Sequence, residues 1–217
     1  MKITYIGHSS FKIEIDSKVF VVDPYDPKVL GYDFPETKAD ILLLSHGDPE
    51  TTYIKGVKGY SMLIDGPGEY ETAGIFIYGL PAYHDTKEGV ERGKNTVYLI
   101  EDSGFNILHL GSLGHELPQT TLEKIGDVDV LMIPVGGNYV IDAETASKVI
   151  SSIEPKFVIP MHYYTEDSKY EEKLAKLEEF LGEMGVDKDI KPKDALEIKR
   201  VSLISDDTKV VVLKPQH

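Results

Sequence analysis

The sequence predicts a single mixed α/β domain over residues 1–217. Its length of 217 residues is that of one sizeable domain. The first hundred or so residues consist of short apolar runs separated by turn residues, which indicates strands rather than long helices. Residues 127–160 then change to a strand–helix–strand pattern, which is typical of an α/β unit. No repeat or low-complexity stretch interrupts the chain.

The strands predicted for the first half are apolar runs of four or five residues. They cover residues 3–6, 11–15, 19–22, 41–44, 61–64, 75–78, 96–100 and 106–110. Asp16, Ser17 and Lys18 are suited to a hairpin turn between the second and third of these strands.

The second half alternates strands with helices. An apolar strand is predicted over 128–133, followed by a helix that Asp142 caps and that runs to about residue 153. Pro155 closes this helix, and a strand over 157–159 follows. Apolar residues at helical spacing predict an amphipathic helix over 168–184, and the last predicted strand covers 209–213. These elements complete the α/β prediction.

The composition excludes several classes of protein. The chain has no cysteine, so disulfides, iron–sulfur clusters and thiol nucleophiles are ruled out. A net charge of −14 disfavours binding to nucleic acid or to anionic membranes. No apolar run approaches the roughly 20 residues of a membrane helix, and strand-like sequence begins at the first residues. We therefore expect a cytoplasmic protein. The scarcity of Asn and Gln beside 37 acidic residues is thermophile-like.

Four of the seven histidines lie at or just beyond the ends of predicted strands. These are His8, His46, His84 and His162. Because strand ends deliver side chains to a shared rim of a sheet, the four imidazoles are expected to converge. A single histidine at such a position is usually an ordinary hydrogen-bonded side chain, but the set predicts a site. His109 is expected within a strand, and His115 is expected to line the same cleft.

Short segments in a fixed order carry a resemblance to a known family. They are Gly7-His8-Ser9-Ser10-Phe11, Val22-Asp23-Pro24-Tyr25, Leu44-Ser45-His46, Gly66-Pro67-Gly68-Glu69-Tyr70, Pro81-Ala82-Tyr83-His84, Leu108-His109-Leu110-Gly111-Ser112-Leu113-Gly114-His115, Ile133-Pro134-Val135-Gly136-Gly137 and Ile159-Pro160-Met161-His162-Tyr163. In this order they resemble the metallo-β-lactamase-fold proteins, in the branch of lactonase-like metal-dependent hydrolases. The resemblance implies a four-layer αββα sandwich with a metal site on the rim between two sheets.

The family's metal loop reads His-x-His-x-Asp-His, and a later aspartate bridges two metal ions. The corresponding loop here is His46-Gly47-Asp48-Pro49-Glu50-Thr51. The resemblance therefore keeps His46 and places Asp48, Glu50 and Thr51 at the other three ligand positions. Ser112 stands where the bridging aspartate is expected. His84 and His162 match the family's later histidines. A hydroxyl cannot bridge two dications as a carboxylate does, so the dinuclear site is predicted to be degenerate.

Two interpretations of the altered loop remain open. In the first, Asp48, Pro49 and Glu50 form a helix N-terminus, with a capping carboxylate, proline in the first turn and an acid near the positive end of the dipole. In the second, His46, Asp48 and His84 hold one zinc or another divalent transition metal, with an open position for water. The helix interpretation suits Glu50 better than a metal role does. Both interpretations suit Asp48 equally.

The remaining candidates lie around the expected cleft. Asp23 is either a support for a metal ligand or part of an Asp-Pro turn. Ser112 lacks the Gly-x-Ser-x-Gly elbow of a serine nucleophile, so it is treated, like His8 and His115, as cleft lining.

Three hypotheses about function follow. The first is a metallo-β-lactamase-fold protein whose hydrolytic activity is reduced or lost. The second is a mononuclear hydrolase of a small ester, lactone or phosphoester. The third is a non-catalytic protein that binds a small ligand or assembles with itself. The sequence indicates a small-molecule partner rather than nucleic acid or membrane. It determines neither the substrate nor the oligomeric state, and it leaves homo-oligomerisation and the absence of any metal open.

Overall fold

A computed structural model describes residues 1–47, 52–102, 104–169, 174–187, 189–199 and 207–217. Its strands are β1 (Lys2–Gly7), β2 (Ser10–Ile15), β3 (Lys18–Val22), β4 (Thr37–Lys38), β5 (Ile41–Leu43), β6 (Val57–Lys58), β7 (Met62–Ile64), β8 (Gly68–Thr72), β9 (Ile75–Tyr83), β10 (Lys94–Asp102), β11 (Phe105–His109), β12 (Val130–Pro134), β13 (Phe157–Met161), β14 (Leu196–Glu197) and β15 (Lys209–Val210). The helices are α1 (Pro27–Leu30), α2 (Gln119–Ile125), α3 (Ala143–Ile153) and α4 (Leu177–Glu183), and a 3-10 turn covers Ile54–Gly56.

Two large sheets share one apolar core. The first has the strand order β14-β1-β2-β3-β5-β7, and the second has the order β15-β13-β12-β11-β10-β9-β8. Buried side chains from both sheets belong to the same hydrophobic cluster, for example Phe11 and Val22 from the first and Val97 and Leu131 from the second. The family's fold class is confirmed by this arrangement.

Strand β3 shows why the first sheet is buried on both faces. Side chains alternate between the faces of a strand, so Phe20 and Val22 enter the large core while Val21 points to the other side. There Val21 packs in a smaller cluster with Leu30 of α1 and with Ile54 of the 3-10 turn. In the described part of the chain, the outer helical layer on this sheet is therefore thin.

Helix α3 forms as predicted. Asp142 accepts a hydrogen bond from the Thr145 N–H at 2.9 Å, which satisfies one of the unpaired donors at the helix start. One face, which includes Val149 and Ile153, is buried in the core. The helix ends at Glu154, whose φ of 52° is left-handed.

No helix in the described ranges meets the length and hydropathy needed to span a bilayer.

The predicted helix over 168–184 is wrong at its start. Helix α4 covers only Leu177–Glu183, because the chain before it is held in an extended conformation. The Ala175 N–H donates to the Gly136 carbonyl at 2.7 Å, and the Ala175 carbonyl accepts from the Tyr164 N–H at 2.9 Å. These long-range bonds compete with the helix that the local spacing favours. Residues 170–173 of the prediction lie outside the described residues.

Candidate functional site

The four histidines at strand ends converge on the rim between the sheets. His8 follows β1 and His46 lies three residues beyond β5, both in the first sheet. His84 follows β9 and His162 follows β13, both in the second. The ring centroids of His8 and His162 are 3.9 Å apart, and those of His46 and His84 are 5.8 Å apart. Each sheet therefore supplies two imidazoles to one cluster, which we call the histidine cluster.

Three residues of this rim adopt left-handed backbone conformations. The φ angles are 54° for His8, 46° for Asp23 and 54° for His162. Residues other than glycine rarely adopt such angles, and they persist where surrounding bonds enforce them. At His162 the enforcing bond is visible, because its N–H donates to the His8 carbonyl at 2.8 Å.

A short chain of hydrogen bonds orients His46. The Ser45 N–H and hydroxyl both donate to the Asp23 carboxylate, at 2.7 and 2.6 Å. The hydroxyl proton is thereby committed, so the Ser45 oxygen can only accept from His46 Nδ1, which lies 2.9 Å away. His46 then carries its proton on Nδ1, and the lone pair on Nε2 is left for a ligand. Asp23 supports His46 through Ser45, and its carboxylate does not bond to the imidazole directly.

Burial keeps two members of the histidine cluster neutral. Burial, with smaller contributions from the neighbouring imidazoles of His46 and His84, lowers the pKa of His8 to about 3. Burial also lowers the pKa of His162 well below its ordinary value, with contributions from His8, His84 and His46. His162 Nδ1 is buried and has no hydrogen-bond partner among the described residues. A neutral imidazole such as that of His162 can donate a lone pair to a metal cation and carries no positive charge for an anion.

His109 and Ser112 are buried beside the rim. His109 ends β11 as predicted, and its Nε2–H donates to the Ser9 carbonyl at 2.9 Å. Its Nδ1 accepts from the Gly111 N–H at 3.1 Å, so both ring nitrogens are occupied. Ser112 is 2% exposed, and its N–H donates to Asn95 Oδ1 at 2.9 Å. These bonds indicate that His109 has a structural role.

Hydrogen bonds occupy both ring nitrogens of His115. Its Nε2 accepts from the Tyr83 N–H at 3.1 Å, and its Nδ1–H donates to the Glu116 carbonyl at 2.7 Å. The side chain borders a separate cavity of about 540 Å³ that Arg92 and Tyr139 also line. Because both nitrogens are bonded, His115 is not available as a ligand.

Asp85 organises the loop after His84, a role that the sequence analysis missed. Although burial acts to raise its pKa, that pKa is lowered because four backbone N–H groups donate to the carboxylate. The donors are those of Arg92, Lys87, Gly89 and Glu91. An Asp followed by a polar, glycine-containing loop is the signal that could have revealed it.

Two glycines lie directly behind site histidines. A Cβ on Gly136 would collide with the His162 carbonyl oxygen, and a Cβ on Gly114 would collide with the backbone of His84. Neither glycine has a positive φ, so each is needed for close approach and not for an unusual conformation. The loops after β11 and β12 thus position histidines that follow β9 and β13.

The metal loop itself is only partly described. Asp48, Glu50 and Thr51 lie outside the described residues, so their capping and ligand roles stay predictions. Among the residues that the structure does describe, no three carboxylate or imidazole side chains are placed to hold a metal ion together. The histidine cluster therefore brings suitable donors close to one another without completing a coordination sphere.

Comparisons with known proteins agree with the fold. Residues 2–162 match the family model described as the Beta-lactamase superfamily domain. A UPF0173 metal-dependent hydrolase of Carboxydothermus hydrogenoformans is 30% identical over 197 residues, which cover 76% of this chain and 85% of that protein. A second UPF0173 metal-dependent hydrolase, from Thermococcus kodakarensis, is 28% identical over 193 residues, with coverage of 76% and 85%.

Solved structures show the same similarity. A Thermotoga maritima protein of the metallo-beta-lactamase superfamily, assigned as a Zn-dependent hydrolase, has a TM-score of 0.79 and 34% identity, with 99% of both chains covered. Igni18, a metallo hydrolase of Ignicoccus hospitalis, has a TM-score of 0.65 and 21% identity, with coverage of 99% and 95%. The second likeness concerns the fold alone.

Proposed function

The chain belongs to the beta-lactamase superfamily, and we propose that it is a metal-dependent hydrolase homologue that holds at most one divalent transition metal ion. The metal ligands in this proposal are His46, His84 and His162, which follow strands of the two sheets. A divalent metal is supported by relatives named metal-dependent hydrolases, one of which, from Thermotoga maritima, is assigned as Zn-dependent. Loss of the second metal would reduce or abolish hydrolysis, since the two-metal mechanism stabilises both the attacking and the leaving oxygen.

The observation that carries this proposal is the chemistry of the histidine cluster. Two dications about 3.5–4 Å apart need anionic ligands to offset their repulsion. Ser112 occupies the position expected for the bridging aspartate. The nearby carboxylate of Asp23 is committed to Ser45 by two hydrogen bonds. In the described part of the chain, the cluster consists of imidazoles without a bridging carboxylate, which favours one metal over two.

The residues present fit a single transition metal in type and in protonation state. His162 is neutral and buried, and Ser45 directs the proton of His46 to Nδ1. Imidazole donors suit zinc and ferrous iron. When bound, such a metal acts as a Lewis acid toward a carbonyl or phosphoryl oxygen. Because the described side chains do not form a complete ligand set, binding requires movement of the rings or a further donor such as Asp48.

A second candidate function is a working mononuclear hydrolase of a small ester, lactone or phosphoester. It is favoured by the three retained histidines and by relatives that are named metal-dependent hydrolases. In this case the partner is a small-molecule substrate, and His46, Asp48 and His84 would be the main ligands. Turnover of such substrates by the metal-loaded protein separates this function from the first.

Metal analysis of protein purified without chelators tests the proposal. We expect no more than one equivalent of zinc or iron per chain, measured by plasma mass spectrometry against the protein concentration. Adding excess zinc and removing the unbound ion by gel filtration should not raise this value. Two equivalents that are lost together on chelation would contradict the proposal. The control is His217→Ala, since His217 lies outside the histidine cluster and stacks on Tyr32.

A further inference from the structure

The carbonyl oxygen of His8 joins the rims of the two sheets. It accepts one hydrogen bond from the Tyr5 hydroxyl at 2.9 Å and another from the His162 N–H at 2.8 Å. Tyr5 lies in β1 of the first sheet, and His8 follows that strand at the rim. His162 follows β13 of the second sheet. Burial raises the pKa of Tyr5 well above its ordinary value, so its hydroxyl keeps the proton that it donates.

The side chain of His8 also contacts His162. Their ring centroids lie 3.9 Å apart with the ring planes tilted by 40°. His162 is 3% exposed, so its ring has little freedom to turn away from this contact. The backbone carbonyl of His8 and its ring thus both contact His162.

The backbone of His8 is held in an unusual state to make both contacts. Its φ of 54° is left-handed, and residues with a Cβ seldom adopt this conformation. Since such a conformation persists where its surroundings enforce it, the bond from Tyr5 to the His8 carbonyl has a clear structural purpose. It keeps the carbonyl directed toward the His162 N–H.

We propose that His8 is the positioning residue of His162. Its carbonyl fixes the backbone of His162, and its ring limits the orientation of the His162 imidazole in the histidine cluster. His8 lies outside the ligand positions that the family resemblance assigns. The inference rests on the proposed function in one respect, because it assumes that His162 is a metal ligand. The alternative is that His8 itself donates a nitrogen to the metal.

Three substitutions at His8 in the full chain separate these roles. His8→Phe keeps a ring and removes both nitrogens. His8→Ala removes the ring, and His8→Asn removes it while tolerating the left-handed backbone. Loss of an outer-shell support typically lowers metal affinity by about 10–100-fold. We therefore expect zinc affinity, measured by competition with a chromophoric chelator, to fall by that factor in the Ala and Asn variants and only slightly in the Phe variant. An equal loss in the Phe variant would overturn the proposal.

A metal-free readout keeps this test independent of the proposed function. The ring protons of His162 experience the ring current of His8, so their NMR resonances should move in His8→Ala and move less in His8→Phe. Resonances that stay unchanged in His8→Ala would refute the positioning role. If the wild-type protein binds no zinc, the assumption that His162 is a zinc ligand fails, and these resonances alone decide whether His8 positions His162.

Tyr5→Phe provides a second variant in case the His8 substitutions prevent folding. It keeps the rings of His8 and His162 and removes only the hydroxyl that supports the His8 carbonyl. Zinc affinity should fall in this variant. Tyr25→Phe is its matched control, because the buried Tyr25 hydroxyl donates to the Asp33 carbonyl and makes no bond to a histidine. Equal zinc affinities for the two variants, with equal melting temperatures in the metal-free state, would contradict the proposal.

Discussion

The hydroxyl of Ser45 donates to the Asp23 carboxylate at 2.6 Å, and the same oxygen lies 2.9 Å from His46 Nδ1. A buried carboxylate therefore controls the tautomer of an imidazole through a residue that is not itself a ligand. Asp23 and Ser45 are both less than 10% exposed, so solvent cannot replace either bond. The orientation of His46 thus depends on two residues of the neighbouring strand ends.

Substitution of Ser45 tests this relay. In Ser45→Ala the His46 imidazole loses the acceptor that holds its proton on Nδ1, and zinc affinity should fall by about 10–100-fold. The melting temperature should also fall, because the Asp23 carboxylate loses the hydrogen bond from the Ser45 hydroxyl and keeps only the one from the Ser45 N–H. Titration with zinc and a competing chelator measures the first effect. Ser151→Ala, which removes a hydroxyl on the exposed face of helix α3, should leave zinc affinity unchanged. Unchanged affinity in Ser45→Ala would contradict the relay.

Removal of the proposed ligands should abolish metal binding. We expect His46→Ala and His84→Ala each to reduce bound zinc to background, because each removes one of few imidazole donors. Thr51→Ala should retain the wild-type amount, since the neutral hydroxyl is a poor ligand. Zinc per chain after gel filtration is the measurement. A large loss of zinc in Thr51→Ala would show that the metal loop is assigned incorrectly.

Gly136→Ala should disturb the site through simple steric contact. The added methyl group would meet the His162 carbonyl oxygen and displace the backbone that carries the ligand. We expect a loss of about 1–3 kcal/mol in unfolding free energy, as for other overpacked sites, together with weaker zinc binding. Gly66→Ala is the control, because a Cβ there meets nothing within 4 Å. Equal urea midpoints for the two variants would argue against close contact at Gly136.

The cap of helix α3 predicts a dependence of stability on pH. The pKa of Asp142 is lowered because the Thr145 N–H donates to its carboxylate. With its folded pKa below the unfolded one, the ionised cap stabilises the protein above the ordinary Asp pKa, and this contribution is lost as pH falls through the folded pKa. Asp142→Ala should cost about 0.5–2 kcal/mol at neutral pH, and Asp142→Asn should cost less.

Urea unfolding at neutral pH and at pH 3 measures this effect. The difference between wild type and Asp142→Asn should shrink at the lower pH, because the variant lacks the titrating carboxylate. A difference that grows on acidification would show that the charge on Asp142 destabilises the fold. Asp187→Asn is a control on the surface, where the carboxylate accepts a hydrogen bond from the Asp189 N–H.

Local patterns were sufficient for much of the fold. Short apolar runs bounded by turn residues located strands β1 to β3. The Asp142 cap and the apolar face of α3 were equally local. The predicted convergence of His8, His46, His84 and His162 followed from strand ends alone, since parallel strands deliver their ends to one rim.

The tertiary structure decided the contacts between residues far apart in the chain. His115 was expected to line the cleft, yet bonds from Tyr83 and to Glu116 occupy both of its nitrogens. The start of α4 shifted because Ala175 bonds to Gly136 and Tyr164, which no local pattern reveals.

The ring contact between His8 and His162 and the close approach of Gly136 to His162 likewise depend on how the two sheets meet. Sequence periodicity reports which face of a strand is buried, so it determined the sheets and the rim. It carries no information about which atoms from different sheets come within bonding distance. Those distances, set by packing of the shared core, decided which imidazoles are available to a ligand and which are structural.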